Sequence, residues 1–239
     1  MQPTARGIRL FEVFGTPVYA DPSYFFLLLF FGFGYFQEGM GAVFVVAFAV
    51  TASLLVHEFG HVLAAKTNGF QAVVMLWGMG GMTYPSGMAR GWRSVWMSMA
   101  GPLAGLMLWA VTWFVFMPPW GVDLGLKTDP SAFLEPYRAI GPYQLTLGDL
   151  LWLQLCWINL VWSVLNLLPV FPLDGGQVLR SLLLMRFRAY EADRMAALVG
   201  TVVGAAAGVF LWMALNSVLS LVIFGFLAFQ NWQRYRLSP

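Results

Sequence analysis

Charge is scarce in this sequence: Asp, Glu, Lys and Arg make up 10% of its 239 residues, against about 25% in an ordinary soluble domain. So few charged groups cannot cover a water-facing surface, which excludes a soluble globular protein. Cysteine is nearly absent. A lone Cys156 excludes an internal disulfide and a cysteine-built metal site; between Leu155 and Trp157 in an apolar run, it reads as a packing residue. There are two histidines, enough for one metal site and none left for a second. No loop has room for a folded domain of ordinary size, so no soluble appendage is expected.

What fills the chain is apolar. Hydrophobic residues make up 59% and the mean hydropathy is +0.72. Runs of about 20 such residues, long enough to cross a ~30 Å hydrocarbon core, recur throughout. Six spans are expected, at residues 24–36, 42–66, 94–117, 150–169, 195–215 and 217–232. The first follows a polar segment holding Arg6, Arg9, Glu12 and Asp21 and leads into Gln37 and Glu38, not into a small-residue cleavage site, so it reads as a retained span. Between the second and third spans, FQAVVMLWGMGGMTYPSGMARG (70–91) alternates and is rich in glycine, which predicts a membrane-associated β-hairpin. Such backbone is tolerated at membrane depth where it lines a cavity or is covered by protein. The expected fold class is an all-α polytopic membrane protein of about six helices plus that hairpin. It would form a single domain over 1–239, with a core at about 42–188 and a polar non-cytoplasmic loop at 118–148.

The positive charges fix an orientation. With the amino terminus in the cytoplasm, eleven of the thirteen Lys and Arg fall on that side, and only Lys127 and Arg138 fall on the other. The positive-inside rule then puts both termini in the cytoplasm. The expected location is the cell (inner) membrane of a bacterium or archaeon.

Both histidines lie in HEFGH, residues 57–61, inside the second span. On a helix, i and i+4 share a face, so His57 and His61 can offer two imidazoles to one zinc ion. Glu58 beside them can take a proton from water. Chance would produce this placement on the order of 10⁻⁴ of the time for the motif geometry. An ionisable residue at membrane depth is costly and is a functional candidate for that reason; an interhelical hydrogen-bonding cluster would not need this spacing.

A catalytic zinc takes three protein ligands and leaves one position open. The candidate third ligand is Asp174, the only acid between Asp149 and Glu191, at the end of NLLPVFPLDGG (166–176). Pro169 and Pro172 break the helix before it. The broken backbone offers carbonyl and amide groups to an extended substrate, while Gly175 and Gly176 allow close backbone approach. Both segments run towards the cytoplasm, so the motifs reach similar depth on the cytoplasmic side.

These motifs resemble those of the site-2 protease family of intramembrane zinc metalloproteases. HEFGH resembles its zinc-binding motif, NLLPVFPLDGG its NxxPxxxxDG signature, and AGPLAG (100–105) its Gly-Pro motif. Residues 78–83 fall where the family carries a membrane-embedded β element, and the likeness runs over about 7–188. The resemblance implies one Zn²⁺ on His57, His61 and Asp174, with Glu58 as catalytic acid/base. It also implies hydrolysis of peptide bonds in or near transmembrane segments of other membrane proteins, releasing signalling fragments. No PDZ or CBS domain is legible.

The substrate is expected to dock as a strand along Gly78, Gly80 and Gly81, with Asn166, Pro169 and Pro172 also contacting it. The partners are then the bilayer and a transmembrane protein, with room for a regulatory membrane partner or a homo-oligomer and with no nucleic acid. Asn159 reads as an interhelical hydrogen bond. Two other readings compete. A zinc or ion transporter would string its ligands along a path, whereas these converge at one depth. A non-catalytic membrane-protein-binding relative would not need HEFGH and LDGG intact.

Overall fold

The computed structural model describes residues 7–116 and 146–237. The expected polar loop at 118–148, with Lys127 and Arg138, falls almost wholly outside them. The chain divides into two compact units, one of residues 1–87 and 103–163, the other of 88–102 and 164–239.

The first unit opens with strands β1 (Ile8–Val13) and β2 (Thr16–Ala20) and a short apolar helix α1 (Ser23–Phe33). Helix α2 (Met40–Thr67) follows, then β3 (Ala72–Trp77) and β4 (Gly80–Pro85). The expected hairpin is therefore only half of a sheet: the order is β1-β2-β3-β4, with β2 and β3 parallel and the outer pairs antiparallel. A tight turn at Phe14 and Gly15, both at positive φ (51° and 72°), folds β1 onto β2. The parallel β2–β3 pair needs a long crossover, and α1 and α2 supply it.

Helix α2 is uninterrupted because its 28 residues carry no proline, and at 1.5 Å per residue it is about 42 Å long. It stops at Asn68 and Gly69, where Gly69 takes φ 79° and its N–H closes on the Lys66 carbonyl. Ala42, Val46, Ala49, Ser53, His57 and Gly60 are buried at helical spacing, while Phe44, Phe48 and Leu63 point outward. The motif histidine thus sits on the packed stripe of the helix.

Helix α3 (Trp92–Val115) and helix α4 (Leu147–Asn166) each continue from one unit into the other. Within the first unit they meet through Trp152, whose Nε1 donates to the Thr112 carbonyl at 3.0 Å, and through the stacked Trp113 and Trp152 rings. Gly105 on α3 faces Ser163 so closely that a side chain there would overlap its hydroxyl. Asn159 of α4 donates to Ser53 of α2 at 2.9 Å, as its place in an apolar helix suggested.

The second unit holds helices α5 (Asp174–Leu183), α6 (Ala189–Leu215) and α7 (Val218–Leu237). The expected spans omitted α5. Among the described residues α2, α3, α4 and residues 189–214 of α6 are long and apolar enough to cross a membrane. With its exposed aromatic and aliphatic side chains, such as Phe26, Phe30, Phe210 and Met213, this is an integral membrane protein, mostly helical with a small sheet.

Candidate metal centre

In the first unit, α2 carries His57, Glu58 and His61. His57 and Glu58 are 5% and 3% exposed, and His61 is half-buried. The Nε2 atoms of the two imidazoles converge to 3.3 Å. Two nitrogens held about 2.0–2.1 Å from one tetrahedral ion stand about 3.3–3.4 Å apart. The spacing of the donor pair thus matches that of two ligands on one zinc ion. A small, mostly apolar cavity beside His57 lies among α2, α3 and α4, bounded by Leu54, Gly105, Ile158 and Trp162 together with Ser53 and Asn159.

Strand β4 meets Glu58 directly. The Thr83 hydroxyl donates to Glu58 Oε2 at 2.7 Å and also stands 3.2 Å from the Glu58 carbonyl. Among the described residues no Lys or Arg forms an ion pair with Glu58. Two residues before Thr83 on the same face, a methyl carbon at Gly81 would stand 2.5 Å from both Glu58 Cγ and Oε1. Only glycine leaves the carboxylate its place.

The other two hairpin glycines are engaged elsewhere. The Gly78 amide donates to Ser23 Oγ at 2.9 Å, and Gly80, at φ 131°, faces the Trp162 ring. Thr83 is the residue that sequence reading passed over; its signal was a hydroxyl two positions from a glycine on one face of a strand. Thr83→Val should lower any turnover that depends on Glu58 about 10- to 100-fold, the effect of removing one charge-assisted hydrogen bond of ~1.5–3 kcal/mol. KM should hold, and Thr83→Ser should restore turnover. Equal loss in both variants would remove the hydroxyl from the account.

In the second unit, Asp174 is half-buried and is the first residue of α5, where a carboxylate favours the helix amino terminus. Asn166 ends α4. Pro169 is half-buried and Pro172 exposed, and the Phe171–Pro172 peptide is cis. The break between α4 and α5 was expected to leave backbone groups free for a substrate. At Phe171 it does not: both its N–H and its carbonyl are bonded to the Asn231 side chain. Gly175 and Gly176 pack where a side chain would strike the backbone of Leu167, Val170 and Phe171.

The sequence model of Peptidase family M50 matches residues 143–211, the stretch carrying α4, α5 and most of α6. The solved site-2 protease of Methanocaldococcus jannaschii superposes with a TM-score of 0.60 over 98% of this chain and 97% of that one, at 20% identity. In sequence over residues 143–211 and in fold over nearly its whole length, the chain resembles the site-2 protease family.

Sequence relatives point the same way. A putative zinc metalloprotease of Synechocystis sp. is 29% identical over 188 residues, covering 73% of this chain and 44% of its own length. A zinc metalloprotease of M. jannaschii is 25% identical over 223 residues, covering 90% and 57%. A probable chloroplastic zinc metalloprotease of Oryza sativa is 31% identical over 152 residues, covering 54% and 27%. The chain therefore spans from about a quarter to somewhat over half the length of these relatives.

Proposed function

We propose that this chain is a member of the site-2 protease family, an intramembrane zinc metalloprotease that hydrolyses peptide bonds in or near transmembrane segments of other proteins. The observation that carries the reading is the 3.3 Å convergence of the His57 and His61 nitrogens next to a buried glutamate held by Thr83. His57, His61 and Asp174 would hold one zinc ion, two imidazoles and a carboxylate being a donor set that zinc accepts. When bound, the ion supplies Lewis-acid chemistry, acidifying water and polarising a carbonyl.

The protein's own groups do the rest. Glu58 takes the proton of the attacking water and passes it to the leaving nitrogen. Thr83 holds one carboxylate oxygen by hydrogen bonding, so the other is presented in one orientation. Beside them, β4 is the last strand of its sheet, with an outer edge that an unwound substrate can join by strand addition. Gly78, Gly80 and Gly81 keep that strand slim, and Asn166, Pro169 and Pro172 would contact the substrate further along. A transmembrane helix has its amides paired internally and must unwind first, which small residues and proline in the target make easier.

The chain would work as one protease domain over 1–239 with a core at about 42–188, crossing the membrane six times. The eleven-to-two division of positive charge supports termini and active site on the cytoplasmic side of a bacterial or archaeal inner membrane. The substrate would be a membrane protein, with room for a regulatory membrane partner or a second copy.

Purified protein should cleave a helix-destabilised transmembrane test substrate, lose that activity to a zinc chelator, and regain it when zinc is restored. Cleavage indifferent to chelation would overturn the assignment.

A further inference from the structure

A buried side chain on the last helix, outside the expected catalytic core, grips the segment that leads into Asp174. Asn231 lies in α7 and is fully buried. The Phe171 amide donates to its Oδ1 at 3.2 Å, and its Nδ2 donates to the Phe171 carbonyl at 2.8 Å. The remaining Nδ2 proton goes to the Leu227 carbonyl one turn back, at 2.8 Å. The carboxamide thus pairs with both backbone groups of one residue, as a neighbouring strand would, and both of its protons are used.

The surroundings are shaped for this grip. On α6, Gly200 leaves room where any side chain would overlap the Asn231 carboxamide. One turn along α7, the Arg234 guanidinium stands 3.9 Å over the Phe171 ring and 3.3 Å from Asp193, which is itself 2.5 Å from Arg180 of α5. Phe171 is therefore held by backbone and ring at once.

From Phe171 the chain reaches Asp174 in three residues with little slack. Pro172 has a fixed φ, the Leu173 amide closes on the Val170 carbonyl at 2.8 Å, and the Gly176 amide closes on Leu173 at 3.0 Å. Where Phe171 is placed, Asp174 follows.

We propose that Asn231 is a positioning residue for the metal centre: by clamping the Phe171 peptide it sets where Asp174 presents its carboxylate. The proposal rests on the reading of Asp174 as a zinc ligand. Groups that orient metal ligands typically contribute about 10–100-fold in metal affinity. An ordinary packing hydrogen bond would instead affect folding and leave affinity to the folded protein alone.

The test is a zinc-affinity measurement on the purified full-length protein, by competition with a chromophoric chelator. The variants are Asn231→Leu, Asp174→Ala and the double variant, each checked for folding by circular dichroism. Asn231→Leu should weaken zinc about 10–100-fold and add little in the Asp174→Ala background, because residues acting through one another are non-additive. The cobalt-loaded Asn231→Leu protein should also show an absorption spectrum displaced towards that of Asp174→Ala. Wild-type affinity in Asn231→Leu, or the same fold-loss in both backgrounds, overturns the proposal. Should Asn231→Leu not fold, Asn231→Ser removes the same clamp with a smaller side chain and is held to the same outcomes. Wild-type affinity in Asp174→Ala would instead overturn the ligand assignment itself, a result distinct from failure of the clamp.

Discussion

Glu58→Gln is expected to reduce cleavage of a transmembrane substrate by about 10²–10⁴-fold, the usual contribution of a positioned acid/base, while zinc stays bound. Glutamine has nearly the shape of glutamate, and its carbonyl oxygen can still accept from the Thr83 hydroxyl, so the contact at 2.7 Å survives. The imidazoles of His57 and His61 are untouched. What is lost is one function: an amide cannot take a proton from water and return it to an amine. The measurements are turnover of a helix-destabilised test substrate and zinc content of the same sample. Loss of both together would mean that Glu58 helps build the metal site. Unchanged turnover with full zinc would take it out of the chemistry.

The features that were readable in the sequence are those set by local periodicity. HEFGH displays its two imidazoles together because i and i+4 share a helix face, and α2, α3, α4 and α6 are legible because each is an apolar run of sufficient length. What was not legible depends on distant pairing. Strands β1 and β2 are short and joined at Phe14–Gly15, without the Asn-Gly or Asp-Gly signal of a tight turn. The parallel partner of β2 lies more than 50 residues away, across two helices. Helix α5 hides behind glycines at its second and third positions, which lower helix propensity. Thr83 and Asn231 could be recognised as polar residues in apolar surroundings, but their partners, a carboxylate 25 residues away and a peptide unit 60 residues away, follow only from the fold. The same difference corrects the idea that the proline-broken segment offers its backbone freely: the residue types suggest an open chain, and at Phe171 the fold closes it.

Gly81→Ala is expected to reduce cleavage by about 10²-fold, the scale on which a 1 Å misplacement of a reacting group acts, with zinc content unchanged. The argument is steric. The added methyl would lie 2.5 Å from Glu58 Cγ and Oε1, well inside van der Waals contact, so either the carboxylate rotates away or β4 shifts. Rotation breaks the Thr83 bond and turns the proton acceptor from its working direction. A shift of β4 is resisted by its register with β3, where Gly81 opposes Leu76, a fully buried residue, and Thr83 opposes Val74, which is buried likewise. The carboxylate therefore moves. The histidines do not meet Gly81 in its closest contacts, which are all with Glu58, so the two imidazoles on α2 keep their geometry. If turnover in Gly81→Ala matches wild type, Glu58 is not confined by β4 and the positioning role given to this strand is wrong. If zinc is lost along with turnover, the strand supports the metal ligands as well as the glutamate. A fall in turnover with zinc retained means that β4 acts through Glu58, which ties the edge of the sheet to the proton-transfer step.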